Sequence, residues 1–224
     1  MNPMKRFAIY YAPREGAFAE AAAAWLGWDL LHGRAARQPE ILNLAALTAD
    51  PRKYGFHGTI KPPFRLADGV SPADLVDAVG DLAKSLQAVQ LPGLELVLLD
   101  GFLALVPGHD PGLNDLASKV VQGLEAFRAP LTEAEIARRR PESLTPRQRE
   151  LLAVYGYPYV MEEFQFHLTL SSRLGAAEAS ALRIAAQAHF AGLIPTPFQI
   201  QDLCLCGEDA TGRFHLLHRY ALSA

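Results

Sequence analysis

Apolar positions along the chain alternate between two periods, and that alternation predicts a mixed α and β protein. Lys5 to Ala12 is rich in β-branched and aromatic residues and is bounded by Pro13, which predicts an opening strand. Ala17 to Leu31 carries Phe18, Trp25 and Trp28 near one helical face. Residues 33 to 55 are irregular, with Pro39 and Pro51 as breakers, and Phe56 to Phe64 reads as a strand whose ladder ends at Pro62-Pro63. Ser71-Pro72-Ala73-Asp74 is a helix start: a capping serine, proline at the first position and an acid in the first turn. Leu75, Val79, Leu82 and Leu86 then form one apolar stripe.

Leu94 to Leu99 and Phe102 to Val106 flank Asp100-Gly101, the pattern of a hairpin with a two-residue turn. Leu113, Leu116, Val120, Leu124 and Phe127 mark a further amphipathic helix. The character changes over residues 128–160, where Thr132 with Glu135 and Thr145-Pro146 with Gln148 predict two short capped helices. Phe164 to Ser172 is again strand-like, Ala176 to Phe190 helical, and Thr196 to Cys206 and Arg213 to Tyr220 are strands. The order histidine-bearing strand, helix, two strands occurs twice, from His57 to Val106 and from His167 to Tyr220. The expected fold class is therefore α+β: duplicated strand-helix-strand-strand units forming two antiparallel sheets around a central groove. Residues 1–224 are expected to form one two-lobed domain, with 128–160 as a helical excursion from it.

Composition narrows the partners. Of 224 residues, 50% are hydrophobic and 20% charged, an ordinary globular balance, and 21 basic against 24 acidic side chains give a net charge of -3. A protein that neutralises many nucleic-acid phosphates needs a basic surplus, so long nucleic acid is not an expected partner. No apolar run reaches the roughly 18–20 residues that span a bilayer, and the opening segment reads as a strand, not a signal peptide. Cys204 and Cys206 lie two apart in an extended run and are poorly placed to bridge each other. A reducing, cytoplasmic setting is expected, and nothing in the pattern specifies an oligomeric state.

The chemistry lies in His57-Gly58-Thr59-Ile60 and His167-Leu168-Thr169-Leu170. Strand alternation puts His57, Thr59 and Lys61 on one face, and His167, Thr169, Ser171 and Arg173 on one face of the other strand. Two such strings among seven histidines arise in roughly 2% of shuffled chains. Each strand then has an apolar side for a core and a side bearing imidazole, hydroxyl and cation, which suits the wall of a polar cleft. Arg138-Arg139-Arg140, with Arg147 and Arg149, reads first as a solvated helix face, and otherwise as a grip on a terminal phosphate of a substrate.

The paired strings resemble the signature of the two-histidine phosphoesterase superfamily, which includes RNA 2′,3′-ligase-like proteins and cyclic nucleotide phosphodiesterases. The longer strings Tyr54-Gly-Phe-His-Gly-Thr-Ile-Lys-Pro-Pro-Phe64 and Gly156-Tyr-Pro-Tyr-Val-Met-Glu-Glu-Phe-Gln-Phe-His-Leu-Thr-Leu170 resemble a branch associated with phosphonate-utilisation operons. The likeness covers nearly the whole chain and includes the opening strand with Tyr10. It implies hydrolysis of a small cyclic phosphodiester without metal or other cofactor. One imidazole takes a proton from water while the other protonates the departing alkoxide. Thr59 and Thr169 are placed to donate to phosphate oxygens, and Lys61 or Arg173 to offset charge there. Tyr10 and Tyr54, and with them Tyr157 and Tyr159, are candidate pocket walls. The expected substrate is a phosphorylated ribose 1,2-cyclic phosphate. The alternatives are a 2′,3′-cyclic nucleotide or RNA-end phosphodiesterase, and a phosphate-ligand-binding module without turnover.

Overall fold

The computed structural model describes residues 4–223, and its largest feature is a seven-stranded antiparallel sheet. In chain order the strands are β1 (Arg6–Tyr11), β2 (Trp28–Asp29), β3 (Arg34–Ala35), β4 (Gly58–Phe64), β5 (Val89–Leu91), β6 (Glu95–Leu99), β7 (Phe102–Val106), β8 (Leu168–Thr169), β9 (Phe198–Ile200), β10 (Asp202–Glu208) and β11 (Phe214–Ala221). The helices are α1 (Ala17–Leu26), α2 (Leu44–Leu47), α3 (Ala49–Arg52), α4 (Pro72–Ser85), α5 (Pro111–Gly123), α6 (Glu133–Arg138), α7 (Pro146–Tyr155) and α8 (Ala176–His189). The large sheet runs β11-β10-β1-β4-β8-β7-β6; β2 with β3 and β5 with β9 form two small ribbons. The class is α+β, as the periodicities predict.

The sheet is really two blocks. β4 and β8 are joined by a single residue pair, Gly58 with Leu168. On one side lie β11, β10, β1 and β4, packed under α4; on the other lie β8, β7 and β6, packed under α8. The two halves of the chain trade hairpins. The strand after His57 pairs in the block that holds the late hairpin β10–β11, and the strand after His167 pairs with the early hairpin β6–β7. The duplicated order visible in the sequence is thus not two side-by-side units but two interlocked ones. Interlocking puts both histidine strands at the seam.

Local signals explain most element ends. Ser71 and Asp74 form a reciprocal capping box at the start of α4, and Thr132 with Glu135 and Thr145 with Gln148 do the same for α6 and α7. Asp100 and Gly101 both adopt positive φ, as the two-residue turn between β6 and β7 requires. Several elements depart from expectation; the strand read over Thr196–Cys206 is split between β9 and β10, which lie in different sheets. α1 stops at Leu26 because Gly27 takes a left-handed cap with φ of 80°, so Trp28 belongs to β2 and not to the helix. β4 continues through Pro62-Pro63 to Phe64, which pairs with Phe7. Regular pairing in the second histidine strand is confined to Leu168–Thr169, flanked by loop.

Most of the buried apolar side chains, including Ile9, Trp25, Ile60, Leu103, Leu168 and Phe198, form one large core. Cys204 and Cys206 are buried and unpaired in a second cluster with Tyr10 and Phe214. Among the described residues no helix is long and apolar enough to cross a membrane.

Candidate functional site

The Gly58–Leu168 pair fixes the geometry of everything around it. In an antiparallel ladder centred on that pair, His57 falls beside Thr169, and His167 falls beside Thr59. All four side chains leave the same face, opposite to Gly58 and Leu168. The two histidines sit on the diagonal of this square, a separation of roughly 7–8 Å by ordinary sheet geometry. A local two-fold axis through the pair exchanges one His-x-Thr string for the other.

The hydrogen bonds obey the same symmetry. His57 Nδ1 lies 2.9 Å from the carbonyl of Gly55, and His167 Nδ1 lies 2.8 Å from the carbonyl of Gln165. A carbonyl only accepts, so each Nδ1 carries the proton and each Nε2 is the chemically free nitrogen. His57 Nε2 accepts from the Thr59 hydroxyl at 3.1 Å. The Thr169 hydroxyl makes no hydrogen bond among the described residues. The ring of Tyr10 covers one face of His57, with centroids 3.9 Å apart, and Tyr54 lies 5.9 Å away. This burial pushes the His57 imidazole down to about 4, against the opposing pull of the Gly55 carbonyl and aided by the charge of nearby His167. The same burial holds Tyr10 well above the usual phenol range.

The four residues open onto two adjoining chambers. One is lined by Tyr10, Tyr54, His57, Thr59, Thr169 and Arg139 among others. The second contains His167. Thr59, Phe102, Tyr157 and Arg173 wall both chambers, so the histidines approach one continuous groove from opposite ends. A separate cleft behind Pro62-Pro63, lined by Lys61, Arg65, Arg128 and Glu135, holds neither histidine.

Of the candidates, the structure brings together His57, His167, Thr59, Thr169, Arg173, Tyr10 and Tyr54. It does not bring Lys61. A register shift between Ile9 and Tyr10 sets Thr59 opposite Tyr10 but Lys61 opposite Ile9, which breaks the alternation that would have kept Lys61 in line with Thr59. Its side chain turns inward, 1% exposed, and donates to Glu125 at 2.9 Å and to the Val121 carbonyl at 3.0 Å. Lys61 is a buried structural cation. Ser171, also on the predicted face, is consumed structurally: its hydroxyl accepts from Leu103 N and donates to the Ser172 carbonyl.

Two arginines besides Arg173 reach the groove: Arg6, which the sequence reading passed over, and Arg139, from the run read first as a solvated face and otherwise as a phosphate grip. Arg6 alternates with Ala8 and Tyr10 on β1, a period-two signal that pointed to it, and it is held by Glu208 through two hydrogen bonds of 2.5 and 2.8 Å. Arg139 comes from the end of α6 and lies 4.6 Å over the Tyr157 ring. The rest of the arginine cluster is structural or solvated: Arg147 pairs with Glu150 and Glu162, and Arg149 donates to the Pro141 and Leu144 carbonyls just before α7. Among the described residues no group of three or more His, Cys, Asp or Glu side chains is arranged to hold a metal ion.

Comparison with known proteins finds relatives of the chain. Two curated proteins named ribose 1,5-bisphosphate phosphokinase PhnN match nearly the whole chain. The one from Janthinobacterium sp. (strain Marseille) is 37% identical over 221 residues, and the one from Laribacter hongkongensis (strain HLHK9) is 33% identical over 211. These matches cover 93% and 92% of this chain but 49% of each relative, so the chain spans about half the length of the curated proteins it matches. Among solved structures, the chain is similar to E. coli LigT complexed with 3′-AMP, with TM-score 0.44 and 18% identity over 99% of this chain and 100% of that one. It is similar at the same level to a structure described as a phosphoesterase, with TM-score 0.42 and 16% identity over 99% and 100%. A family model described as "Protein of unknown function (DUF1045)" matches residues 59–215, well over half of the sequence, and the chain belongs to that family.

Proposed function

We propose that this protein is a metal-independent phosphoesterase that opens a small cyclic phosphodiester, with His57 and His167 as paired base and acid. The observation that carries the reading is the two-fold arrangement about Gly58 and Leu168. Two imidazoles, each with Nδ1 committed to a carbonyl, leave two Nε2 atoms to flank one phosphorus, with a threonine hydroxyl beside each. In-line displacement needs this: one group to take a proton on the attacking side and one to give a proton on the leaving side.

His57 is neutral at physiological pH because burial holds it near 4, so its Nε2 lone pair takes the proton from water. The water oxygen bonds to phosphorus, the bond from phosphorus to the leaving ring oxygen breaks, and that oxygen takes the Nε2 proton of His167, which enters the reaction as the imidazolium with its Nδ1–H on the Gln165 carbonyl. Thr59 releases Nε2 and, with Thr169, donates to the non-bridging oxygens, while Arg173 offsets the charge that grows there.

The substrate is proposed to be a phosphorylated ribose 1,2-cyclic phosphate in phosphonate catabolism. Water attack that breaks the phosphorus–O2 bond leaves the phosphate on C1, and with a phosphate already on C5 the product is ribose 1,5-bisphosphate. That compound is the one in the printed name of both curated relatives, and a ring-opening segment within the same polypeptide would deliver it to them.

The test is turnover of purified protein on ribose 5-phosphate 1,2-cyclic phosphate and on 2′,3′-cyclic AMP, with and without chelator. Hydrolysis of the sugar phosphate, unaffected by chelator and lost by roughly 100-fold or more in His57→Ala and in His167→Ala, is the expected result. Full activity in either single variant removes that histidine from the mechanism. Preferred turnover of the nucleotide replaces the sugar substrate, and tight binding without turnover of either makes the chain a binding module.

A further inference from the structure

The chamber around His57 contains more positive charge than one phosphodiester needs, whereas the His167 chamber is lined by Asp100 and Glu163 beside the shared Arg173. Arg6, Arg139 and Arg173 line the chamber around His57, and Asp50 is the carboxylate that lines it. Arg6 is already neutralised by Glu208. Arg139 and Arg173 have no ion pair and no side-chain hydrogen bond among the described residues. The two occupy different places. Arg173 walls both histidine chambers together with Thr59, beside the reacting phosphate; Arg139 lines only the His57 chamber.

We infer that Arg139 binds a second anionic group of the substrate, a terminal phosphate monoester, and that this contact makes the enzyme prefer a phosphorylated sugar ring over its unphosphorylated counterpart. The inference rests on the ring-opening reading for the identity of the substrate, and on its own geometry for the subsite. The guanidinium lies against the Tyr157 ring at 4.6 Å, which fixes its plane and leaves the N–H edge for a phosphate. Tyr157 itself walls both chambers, so the stack faces the groove.

The mount is rigid. The Thr132 capping box shares Glu135 with Arg65 at 3.0 Å, and Arg65 also donates to the Pro130 carbonyl at 2.7 Å. Arg128 donates to the Val154 carbonyl at 3.1 Å and presses on Gly156, where an added Cβ would stand 2.9 Å from its Nη1. Gly156 has a φ of 71° and turns the chain from α7 into Tyr157. The two ends of the 128–160 segment are thereby tied to each other, and Arg139 and Tyr157 are set at a fixed spacing over the groove. The neighbours Arg138 and Arg140 line neither chamber, so one cation of the run of three is selected.

The experiment compares ribose 1,2-cyclic phosphate with and without the 5-phosphate. One charge-assisted phosphate contact is worth roughly 10- to 100-fold in binding. In Arg139→Ala the ratio of kcat/KM for the phosphorylated over the unphosphorylated compound is expected to fall by roughly that factor, mostly through KM, with partial recovery in Arg139→Lys. Calorimetric binding of ribose 5-phosphate supplies a readout free of turnover, and its affinity is expected to fall by the same factor in Arg139→Ala. A ratio and an affinity both within about twofold of wild type overturn the subsite while leaving the hydrolytic reading intact. Absence of turnover with an Arg139-dependent affinity for ribose 5-phosphate overturns the hydrolytic reading and upholds the subsite.

Discussion

The ring of Tyr10 lies 3.9 Å from that of His57, centroid to centroid, at an interplanar angle of 30°. The contact does more than pack: it removes water from one face of the imidazole and so disfavours its cation. With His57 held at about 4, against an ordinary value of 6.5, the neutral base is present throughout the physiological range. The acid limb of kcat/KM is therefore expected near pH 4. In Tyr10→Ala water returns to the exposed face, the imidazole rises toward 6.5, and the limb moves up by more than one pH unit. A limb that stays in place would show that Tyr10 does not set the base.

The same shift makes a statement about stability. A histidine kept neutral in the fold but free to protonate when unfolded stabilises nothing by its charge and penalises acid conditions. Its stability is complete above the unfolded value near 6.5 and is lost progressively as pH falls from about 6.5 through about 4. Denaturant unfolding at a series of pH values is expected to show this loss in wild type and a flatter profile between pH 6.5 and 4 in His57→Phe.

The two-fold relation predicts similar penalties at Thr59 and Thr169. Valine keeps the β-branch and the strand preference while deleting the hydroxyl, so it separates donor from strand former. Thr59→Val and Thr169→Val should each lose roughly 100-fold in kcat, the scale of one transition-state donor, with circular dichroism unchanged. A loss smaller than about threefold would mean the hydroxyls are strand furniture. Thr59 also donates to His57 Nε2 in the unliganded protein, so its removal additionally alters the pH profile, which that of Thr169 does not.

At Lys61 stability and catalysis are expected to part. Its ammonium is buried against Glu125 and the Val121 carbonyl, and burial pulls its pKa down against the pull of Glu125. Lys61→Met leaves that carbonyl without a donor, while Glu125 keeps Arg128 as a partner at 2.7 Å. The expected cost is roughly 1–3 kcal/mol of unfolding free energy, measured by denaturant titration, with KM within threefold of wild type. A large KM increase without destabilisation would return Lys61 to the groove.

What the sequence made legible was local. The His-x-Thr strings, the capping boxes at Ser71, Thr132 and Thr145, and the Asp100-Gly101 turn all act over two to four residues, where spacing maps directly onto geometry. The exchange of hairpins was not legible, because a period-two pattern says which face a residue takes but not which strand lies beside it. Lys61 was misplaced for a related reason: alternation holds only until a register shift, and the one against β1 falls between Thr59 and Lys61. Arg139 looked like its solvated neighbours Arg138 and Arg140, since only the docking of α6 through Arg65 and Glu135 turns one of the three toward the groove.

Gly58 stands inside the first string at a position that pattern alone left open, and the structure makes it the least replaceable residue of the seam. A Cβ built there would lie 2.3 and 2.4 Å from two ring atoms of Phe166, and 3.2 Å from Leu168. Phe166 is buried in the main core, packed near Tyr11 and Phe198, so its ring has little room to retreat. Any side chain at 58 must push β8 away from β4, and Gly58 with Leu168 is the pair that joins them. The square of His57, Thr59, His167 and Thr169 then widens, and a displacement of even about 1 Å between reacting groups costs on the order of 100-fold. Gly58→Ala is expected to lower kcat by about that factor and to lower stability through overpacking by roughly 1–3 kcal/mol. Pairing it with Phe166→Leu, which vacates the space that the new methyl group needs, should recover a large part of both. If Gly58→Ala alone turns over like wild type, the seam tolerates separation and the close spacing of the two imidazoles is not what the chemistry depends on.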